Sequence, residues 1–418
     1  MLGLQEYFDQ LIQEQFEPHR LGVKILECEL ERNGVHITSE QRKDLEEQFK
    51  RIGQNELNFD FSDSQLEKAG FSSKVESKQK LQEIIDNFPK YIDAFSGKID
   101  GIMESLLPSV VDKMAESVSK TLQSRMEEML EDQYAIQSEF DDNLYNIWGE
   151  ALELLQGLIV ISDEAAQGYL QRSDKYSEND ITQHLLVRLH AKANQISKEI
   201  LHLITHGFAD GAQARWRSLH ELAVVCSFIA EHGDSVAERY AQHESVEIYK
   251  AAKQYNQYCS RLGAEKINDS EMAVIEREYL ELIERYGRSY ASDYGWAAAT
   301  LNLSRPTFRC LEVSVELDHI RPYYKAASAN IHANPAGVFR RLGLFPEEDA
   351  LLAGPSNIGL SDPAQSTAIS LTQITTSVLI YGANIDFLVV CKAMAEYSKS
   401  VESKFIEIEN EVHKQRNA

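Results

Sequence analysis

Apolar residues recur every three or four positions along nearly the whole chain, a spacing that predicts helices. In one early segment Leu45, Phe49 and Ile52 follow this period, and Thr38 and Gln41 before them have the spacing of a capping box. No segment alternates apolar and polar residues over the length of a strand. The sequence therefore predicts an all-α protein, a multi-helix bundle with an additional N-terminal helical region.

The character of the predicted helices changes twice, which divides the chain into three regions. Residues 1–115 carry short, charged helices and form an acidic N-terminal helical region. Residues 116–178 form a long amphipathic helix or a helical hairpin, and residues 179–418 form a domain of longer, more apolar helices. A row of four apolar residues at four-residue spacing marks the second region: Leu122, Met126, Leu130 and Tyr134. We expect this row to pack against the rest of the chain.

Helix boundaries in the third region follow from the same periodicity. It predicts helices over residues 181–206, 211–231, 235–262, 270–286, 307–317, 321–332 and 364–405. We expect the first two to stop at Gly207 and Gly233, because glycine readily adopts the backbone conformation that ends many helices. Asp210 is expected to cap the second helix.

The chain is acidic, with a formal net charge of −24. Such a surface repels phosphate groups, so a protein that coats nucleic acid non-specifically is disfavoured. Residues 1–150 hold 16 Lys and Arg against 31 Asp and Glu, and we expect these acidic helices to bind a protein partner. Residues 305–341 form a basic island with six basic and three acidic residues, which are either solvated helix surface or part of a site.

Cysteine usage and hydropathy indicate the compartment. Five cysteines, odd in number and far apart, form no CxxC motif, and this favours reduced thiols in a cytosol. Residues 1–18 lack the basic and apolar regions of a signal peptide. The most apolar windows, residues 152–161 and 374–390, are too short or too interrupted by polar residues to span a bilayer. The sequence therefore predicts a cytoplasmic protein without a membrane partner.

Familiar motifs of cofactor and metal sites do not occur. GxxxxGK[ST], GxGxxG, HExxH and GxSxG are absent, and no cofactor is predicted. His202 and His206 have the spacing of two metal ligands on one helical face, but no carboxylate at matching spacing completes the set. We therefore predict packed histidines there and no metal.

The more suggestive residues lie on two of the predicted helices. On the first, Arg217 and Glu221 are i, i+4 neighbours and Arg217 and His220 are i, i+3 neighbours, so these three share one face. Arg215 lies about 140° around the helix from His220 and reaches it only from the edge of that face. Because apolar residues surround this group, its charges must be paired or line a cleft.

On the second helix, Tyr324, Ser328 and His332 follow one another at i, i+4 steps. They form a polar stripe along a helix that is otherwise small and alanine-rich, with Arg321 at its start and Tyr323 beside it. Such a stripe is more typical of a cleft wall than of a core face.

The segments GFADGAQARWRSLHELAVVCSFIAEHGDSVAERYAQH and YYKAASANIHANP together resemble a widespread bacterial family of unknown function. Its pattern is a helix with Arg-x-x-x-Glu, then a tyrosine helix that ends in Ser-x-x-x-His, and the resemblance covers about residues 180–400. Such proteins are similar to the HEPN helical superfamily. Many of its members are metal-independent ribonucleases of toxin and antiphage systems, with an Arg-x(4–6)-His motif at a dimer interface. Arg215 and His220 match that motif, and the resemblance implies a HEPN-like core for residues 179–418 and pairing as a homodimer.

Two hypotheses follow for the site. In the first, the chain is a metal-independent endoribonuclease that binds RNA at an Arg/His cleft. His220 or His332 would act as general base toward a ribose 2′-hydroxyl, because histidine titrates near working pH. Arg215 or Arg217 would stabilise charge on the phosphate. Glu221 would hold an arginine or histidine in position, and two side chains could stack on a base: Tyr323 and Tyr324.

In the second hypothesis the chain is a non-catalytic helical sensor or interaction module. Arg217 and Glu221 would form a buried ion pair that fixes helix packing, hydrogen-bonded to Tyr324, Ser328 or His332. We favour this hypothesis over the ribonuclease.

Overall fold

The chain divides into two units, residues Met1–Asp132 and residues Gln133–Ala418. The structure, a computed structural model, describes residues 17–51, 61–62, 65, 74–96, 99–172, 180–333, 335–345, 350–382 and 384–417. Within these ranges the chain is helical and no strand occurs, which confirms the predicted all-α class. The division after Asp132 coincides with neither predicted region boundary, so the three-region organisation stays a prediction. Residues 1–16 of the segment assessed as a signal peptide lie outside the described residues. Ile52 also lies outside them.

The first unit has its own small core. Its described helices are α1 (Pro18–Arg32), α2 (Ser39–Lys50), α3 (Lys74–Asp86), α4 (Phe88–Ser96) and α5 (Ile99–Ser124), and α6 (Met126–Arg172) begins in it. The predicted capping box is confirmed, since Thr38 Oγ1 accepts from the Gln41 backbone and Gln41 Oε1 accepts from the Thr38 backbone. The buried apolar side chains that pack together in this core are Val23, Leu26, Leu30, Val35, Leu45 and Ile84.

The second unit contains the remainder of α6 and the helices that follow it. These are α7 (Ile181–Thr205), α8 (Ala209–His232), α9 (Asp234–Gln242), α10 (Glu244–Tyr258), α11 (Asp269–Tyr286), α12 (Ala298–Leu301), α13 (Phe308–Ser314), α14 (Arg321–Ala329), α15 (Pro335–Phe339), α16 (Ser361–Tyr381) and α17 (Ile385–Asn417). Short 3₁₀ turns at Cys259–Leu262, Arg288–Ala291, Gly295–Ala297 and Asp318–Ile320 connect some of them. Among the residues described, no helix is long and apolar enough to cross a membrane. All five cysteines are free thiols.

Helices α6, α7, α8, α16 and α17 pack as a bundle. The Trp148 and Phe405 rings, 5.6 Å apart, hold α6 against α17. The Trp216 indole on α8 donates to Ser370 Oγ on α16 over 3.0 Å. Both tryptophans are fully buried, and tryptophan needs a partner for its N–H in such a place. The neighbouring helices are thereby fixed in register as well as in contact.

Gly207 closes α7 as predicted. Its φ of 76° is left-handed, and the two hydrogen bonds of a Schellman motif join Phe208 N to Leu203 O and Gly207 N to Ile204 O. A Cβ here would lie 2.6 Å from the Phe140 ring and 2.7 Å from the Ser356 carbonyl oxygen. Glycine is therefore required by the neighbours as well as by the backbone.

Two predicted helices are each broken in the structure. The helix expected over 235–262 is interrupted at His243, whose Nε2 donates to the carbonyl oxygens of Tyr290 and Ser292, each at 3.0 Å. The helix expected over 364–405 stops at Tyr381 and restarts at Ile385. Both predictions were wrong. The first break depends on a contact with distant residues, which periodicity does not report. At the second, Asn384 Oδ1 accepts from the Phe387 backbone at the start of α17, which is a local signal.

The predicted N-cap of α8 is also corrected. Phe208 holds the N-cap position, and Asp210 lies in the first turn. Its carboxylate accepts instead from the Arg341 guanidinium and the Leu342 backbone, both at 3.1 Å, and from the Asn330 amide at 3.3 Å. Asp210 therefore anchors the segment after α14 to the start of α8.

The amphipathic region predicted over 116–178 comprises the end of α5, up to Ser124, and the whole of α6, from Met126 to Arg172. Residues 173–179 lie outside the described residues. The predicted row of four apolar residues near the start of this region does not pack as expected. The four side chains are 41–68% exposed: Leu122, Met126, Leu130 and Tyr134. Period alone identifies a face as apolar but does not show what covers it.

A buried polar network crosses the bundle at its centre. Ser162 of α6, His190 and Asn194 of α7 and Thr375 of α16 are all under 5% exposed. Ser162 Oγ lies 3.1 Å from His190 Nε2 and 2.9 Å from Thr375 Oγ1. Asn194 lies 3.2 Å from His190 Nδ1. Each group thus finds a partner, as burial of polar groups requires.

Burial of this histidine makes stability depend on pH. Loss of solvation lowers the pKa of His190 from 6.5 to about 4, with Asp163 opposing the shift weakly. Between these values the unfolded chain binds a proton that the folded chain does not, so stability falls as pH falls from 6.5 toward 4. The full effect is about 3 kcal/mol.

We therefore expect His190→Gln to show a smaller loss of unfolding free energy than the wild type between pH 6.5 and pH 4.5, measured by urea denaturation. The exposed His202→Gln variant is the control and should follow the wild type. Equal slopes for the His190→Gln variant and the wild type would contradict the assignment.

Candidate functional site

Helix α8 carries the first group of predicted site residues. Arg217 and Glu221 are one turn apart, and Arg217 Nε lies 3.3 Å from Glu221 Oε1. His220 faces the interior and has no exposed surface, whereas both members of the ion pair are partly exposed. The predicted i, i+4 pair is therefore present, with the histidine beneath it.

Arg215 is directed to a different neighbour. Its Nε donates to the Glu199 carboxylate on α7, and its Nη1 lies 3.4 Å from Ser218 Oγ. Among the described contacts none joins Arg215 to His220. The structure thus separates the two residues that match the Arg-x(4–6)-His pattern.

His220 forms a buried pair with a carboxylate that the sequence analysis did not select. Its Nε2 lies 3.2 Å from Glu312 Oε1 of α13, and neither side chain has any exposed surface. The second oxygen of Glu312 accepts from the Arg321 guanidinium at the start of α14. One buried carboxylate therefore joins α8, α13 and α14.

The geometry also indicates the protonation state of the imidazole. Burial lowers the pKa of His220, although the hydrogen bond and charge of Glu312 oppose the shift. A carboxylate only accepts hydrogen bonds, so Nε2 carries the proton of the neutral ring. Nδ1 then has no hydrogen and, although buried, no hydrogen-bond partner. An unpaired buried acceptor of this kind costs about 1–3 kcal/mol.

Three aromatic rings enclose the imidazole. Their centroids lie 5.5–5.9 Å from that of His220, and they belong to Trp216, Phe308 and Tyr324. Phe308 begins α13, four residues before Glu312. The rings exclude water from the pair, which strengthens its electrostatic interaction.

Above this enclosure a second set of contacts joins α14 to α8. The Tyr324 hydroxyl donates to Glu221 Oε1 over 2.6 Å, and the Arg217 guanidinium carbon lies 4.7 Å from the Tyr324 ring centroid. Burial and the Glu221 carboxylate raise the pKa of Tyr324, so the hydroxyl keeps its proton. Ser328 Oγ donates to the Tyr324 carbonyl oxygen over 2.9 Å. The predicted Arg217, Glu221 and Tyr324 are thus brought together, whereas the Ser328 hydroxyl is bonded to the backbone of its own helix.

Tyr294 belongs to the same site and was not predicted to do so. Burial and then Glu221 raise the pKa of Tyr294 to about 12, and its ring lies 6.1 Å from that of Phe308. The sequence around Tyr294, Tyr-Gly-Trp, predicts only a loop and gives no sign of a site residue. Glu312 was also missed, although its sequence gave a sign of burial, since it is a single carboxylate between Leu311 and Val313.

His332 does not belong to this arrangement. Helix α14 ends at Ala329, and the His332 side chain is exposed. Within the described ranges its contact is the hydrogen bond that its backbone N–H donates to Ser328 O over 3.2 Å. The predicted stripe on one helix from Tyr324 to His332 is therefore wrong. Helix α15 packs against this end of α14, with Gly337 so near that a Cβ would lie 2.1 Å from Ala329 O.

Tyr323, which was also predicted to belong to the site, is 56% exposed. His202 of α7 is exposed and not packed as predicted, and its ring centroid lies 5.2 Å from that of His206, the residue after this helix. Among the residues that the structure describes, no three His, Cys, Asp or Glu side chains are grouped so that they could hold a metal ion.

Comparison with known proteins adds one match. Residues 183–350 match the model of a family described as "Family of unknown function (DUF5677)". This segment runs from α7 to the loop after α15 and includes both groups of site residues, so it is similar to an uncharacterised family, in agreement with that part of the resemblance. No curated protein and no solved structure matches the chain. The likeness to the HEPN superfamily stays a prediction.

Removal of Glu312 should be strongly destabilising. Glu312→Ala leaves the buried His220 N–H and the partly exposed Arg321 guanidinium without their acceptor. We expect a loss of about 3 kcal/mol in the free energy of unfolding. Asp318→Ala, which removes an exposed carboxylate nearby, should change it by less than about 0.5 kcal/mol. Urea denaturation measures both, and equal losses would contradict the buried pairing.

Proposed function

We propose that this chain is a non-catalytic helical sensor or interaction module, in which the cluster around His220 fixes the packing of α13 and α14 on α8. One observation carries the proposal: His220 and Glu312 are both without exposed surface and bonded to each other. A HEPN-like resemblance would place such a module in toxin or antiphage defence.

The geometry supports this function better than RNA cleavage because a general base must reach the proton that it removes. His220 is enclosed by three rings, and its unprotonated Nδ1, the atom that would have to act as the base, is buried. His332 is accessible but lies outside the cluster, and Arg215 is paired with Glu199. The four residues of the ribonuclease hypothesis thus face different surroundings.

The polar contacts have a sufficient structural role. Six side chains form these contacts, and they can do so only when α13 and α14 are correctly seated on α8. They are Arg217, Glu221 and Tyr324 in the partly exposed set and His220, Glu312 and Arg321 in the set around the buried carboxylate. Buried polar networks of this kind specify one arrangement, even where they add little net stability. A module that presents a fixed surface to a partner requires such specificity.

Cleavage assays test the proposal directly. Purified wild-type protein should leave tRNA, mRNA and rRNA intact, and its expression should be no more toxic than that of His220→Ala or His332→Ala. Cleavage of any of these RNAs that is lost in the His220→Ala variant would overturn the proposal and favour the endoribonuclease.

Arg217→Lys distinguishes the two functions by stability. Lysine retains the charge but loses the planar contact with Tyr324, so we expect a loss of about 1 kcal/mol and a fall in Tm of about 2–4 °C. Arg309→Lys is the control, since Arg309 is exposed and has no ion pair among the described residues. An unchanged Tm for the Arg217→Lys variant would contradict a packing role for this arginine.

A further inference from the structure

An exposed apolar surface runs along the end of the first unit. Val111, Leu122, Met126, Met129 and Leu130 of α5 and α6 are 41–52% exposed. We call these five residues the apolar stripe. Single exposed apolar residues are ordinary, but a continuous row of large ones marks an interaction surface.

The stripe lies on one helical face. Backbone hydrogen bonds from Arg125 N to Thr121 O and from Met129 N to Arg125 O, both of 3.1 Å, continue across the joint between α5 and α6. Positions 111, 122, 126, 129 and 130, with the partly exposed Val118 between them, follow the i, i+3, i+4, i+7 spacing of one face. At 1.5 Å per residue the stripe is about 29 Å long. This length and shape fit another helix laid along it.

Acidic side chains accompany the stripe. Lys120 is paired with Glu116 at 2.6 Å, and Arg125 is paired with Glu128 at 3.0 Å, so these charges cancel. Three carboxylates beside the stripe have no ion pair within the described ranges. They are Asp112, Glu127 and Asp132. The surroundings of the stripe are therefore net negative.

Charge decides among the helices that could cover the stripe. A second copy of this chain would bring the same acidic residues against it, and the chain as a whole carries −24. Residues 1–16 carry Glu6, Asp9 and Glu14 and no lysine or arginine, so they would add like charge as well. Like charges opposed across an interface are unfavourable.

We propose that the apolar stripe binds an amphipathic helix of a partner protein whose apolar face is flanked by lysine and arginine. The inference rests on the proposed function, since it supplies the partner of the interaction module. Burial of the stripe provides affinity, and the acidic residues provide selection for a basic partner. The inference thus names where the protein partner predicted for the acidic N-terminal helices would bind and what kind of helix it would present.

The test uses the full chain and a labelled synthetic peptide of 21 residues, with leucines on one helical face and lysines on both flanks. Fluorescence anisotropy should show binding that weakens in high salt. Leu122→Gln with Met126→Gln should weaken it about tenfold or more, because two large apolar contacts are lost. Ser117→Gln with Ser124→Gln, on the opposite face, should leave it unchanged. The same peptide with glutamates on its flanks should bind about tenfold more weakly or not at all.

Three results would overturn the inference. They are an absence of binding, equal binding by the stripe variant and the wild type, and a dimer in light scattering that the stripe variant dissociates. The last result would assign the stripe to a second copy. None of them depends on RNA cleavage, so failure here is distinct from failure of the proposed function.

Discussion

The contact between His220 and Glu312 constrains the rest of the site. Both side chains are removed from water, and a buried carboxylate is tolerated only with partners for its oxygens. Glu312 has two, the imidazole of α8 and the guanidinium of Arg321 at the start of α14. Since the three groups come from three helices, the chain from α13 to α14 can seat on α8 in only one way. The Tyr324–Glu221 hydrogen bond then follows from that seating.

The same principle operates in the bundle below. Trp216 joins the enclosure of His220 with its ring and donates from its indole nitrogen to Ser370 of α16. Farther along, Ser162, His190 and Thr375 place a hydrogen-bonded cluster among three helices. Apolar packing alone permits helices to slide past one another, whereas paired polar groups fix one register. The interior is therefore specified by directional contacts at two levels, and the outer surface is free to serve a partner.

What the sequence could predict depended on the distance between interacting residues. The α7 stop at Gly207, the capping box at Thr38 and the Arg217–Glu221 pair are local and were found. Glu312 lies 92 positions from His220, so no spacing rule connects the two. The end of α14 before His332 was missed, and the close packing of Gly337 of α15 against that end is a contact that spacing along one helix does not report. The apolar pattern at Leu122–Leu130 was read correctly as an apolar face, but its exposure is a tertiary property.

The central claim is that His220 is a neutral, enclosed structural residue. Nitrogen-15 NMR of the histidine side chains tests it most directly, because the chemical shifts of Nδ1 and Nε2 report tautomer and charge. We expect His220 to stay neutral, with its proton on Nε2, down to pH values below the ordinary histidine pKa of about 6.5, and we expect added RNA to leave its shifts unchanged. A His220 that titrates near pH 6.5 and shifts on addition of RNA would contradict the claim.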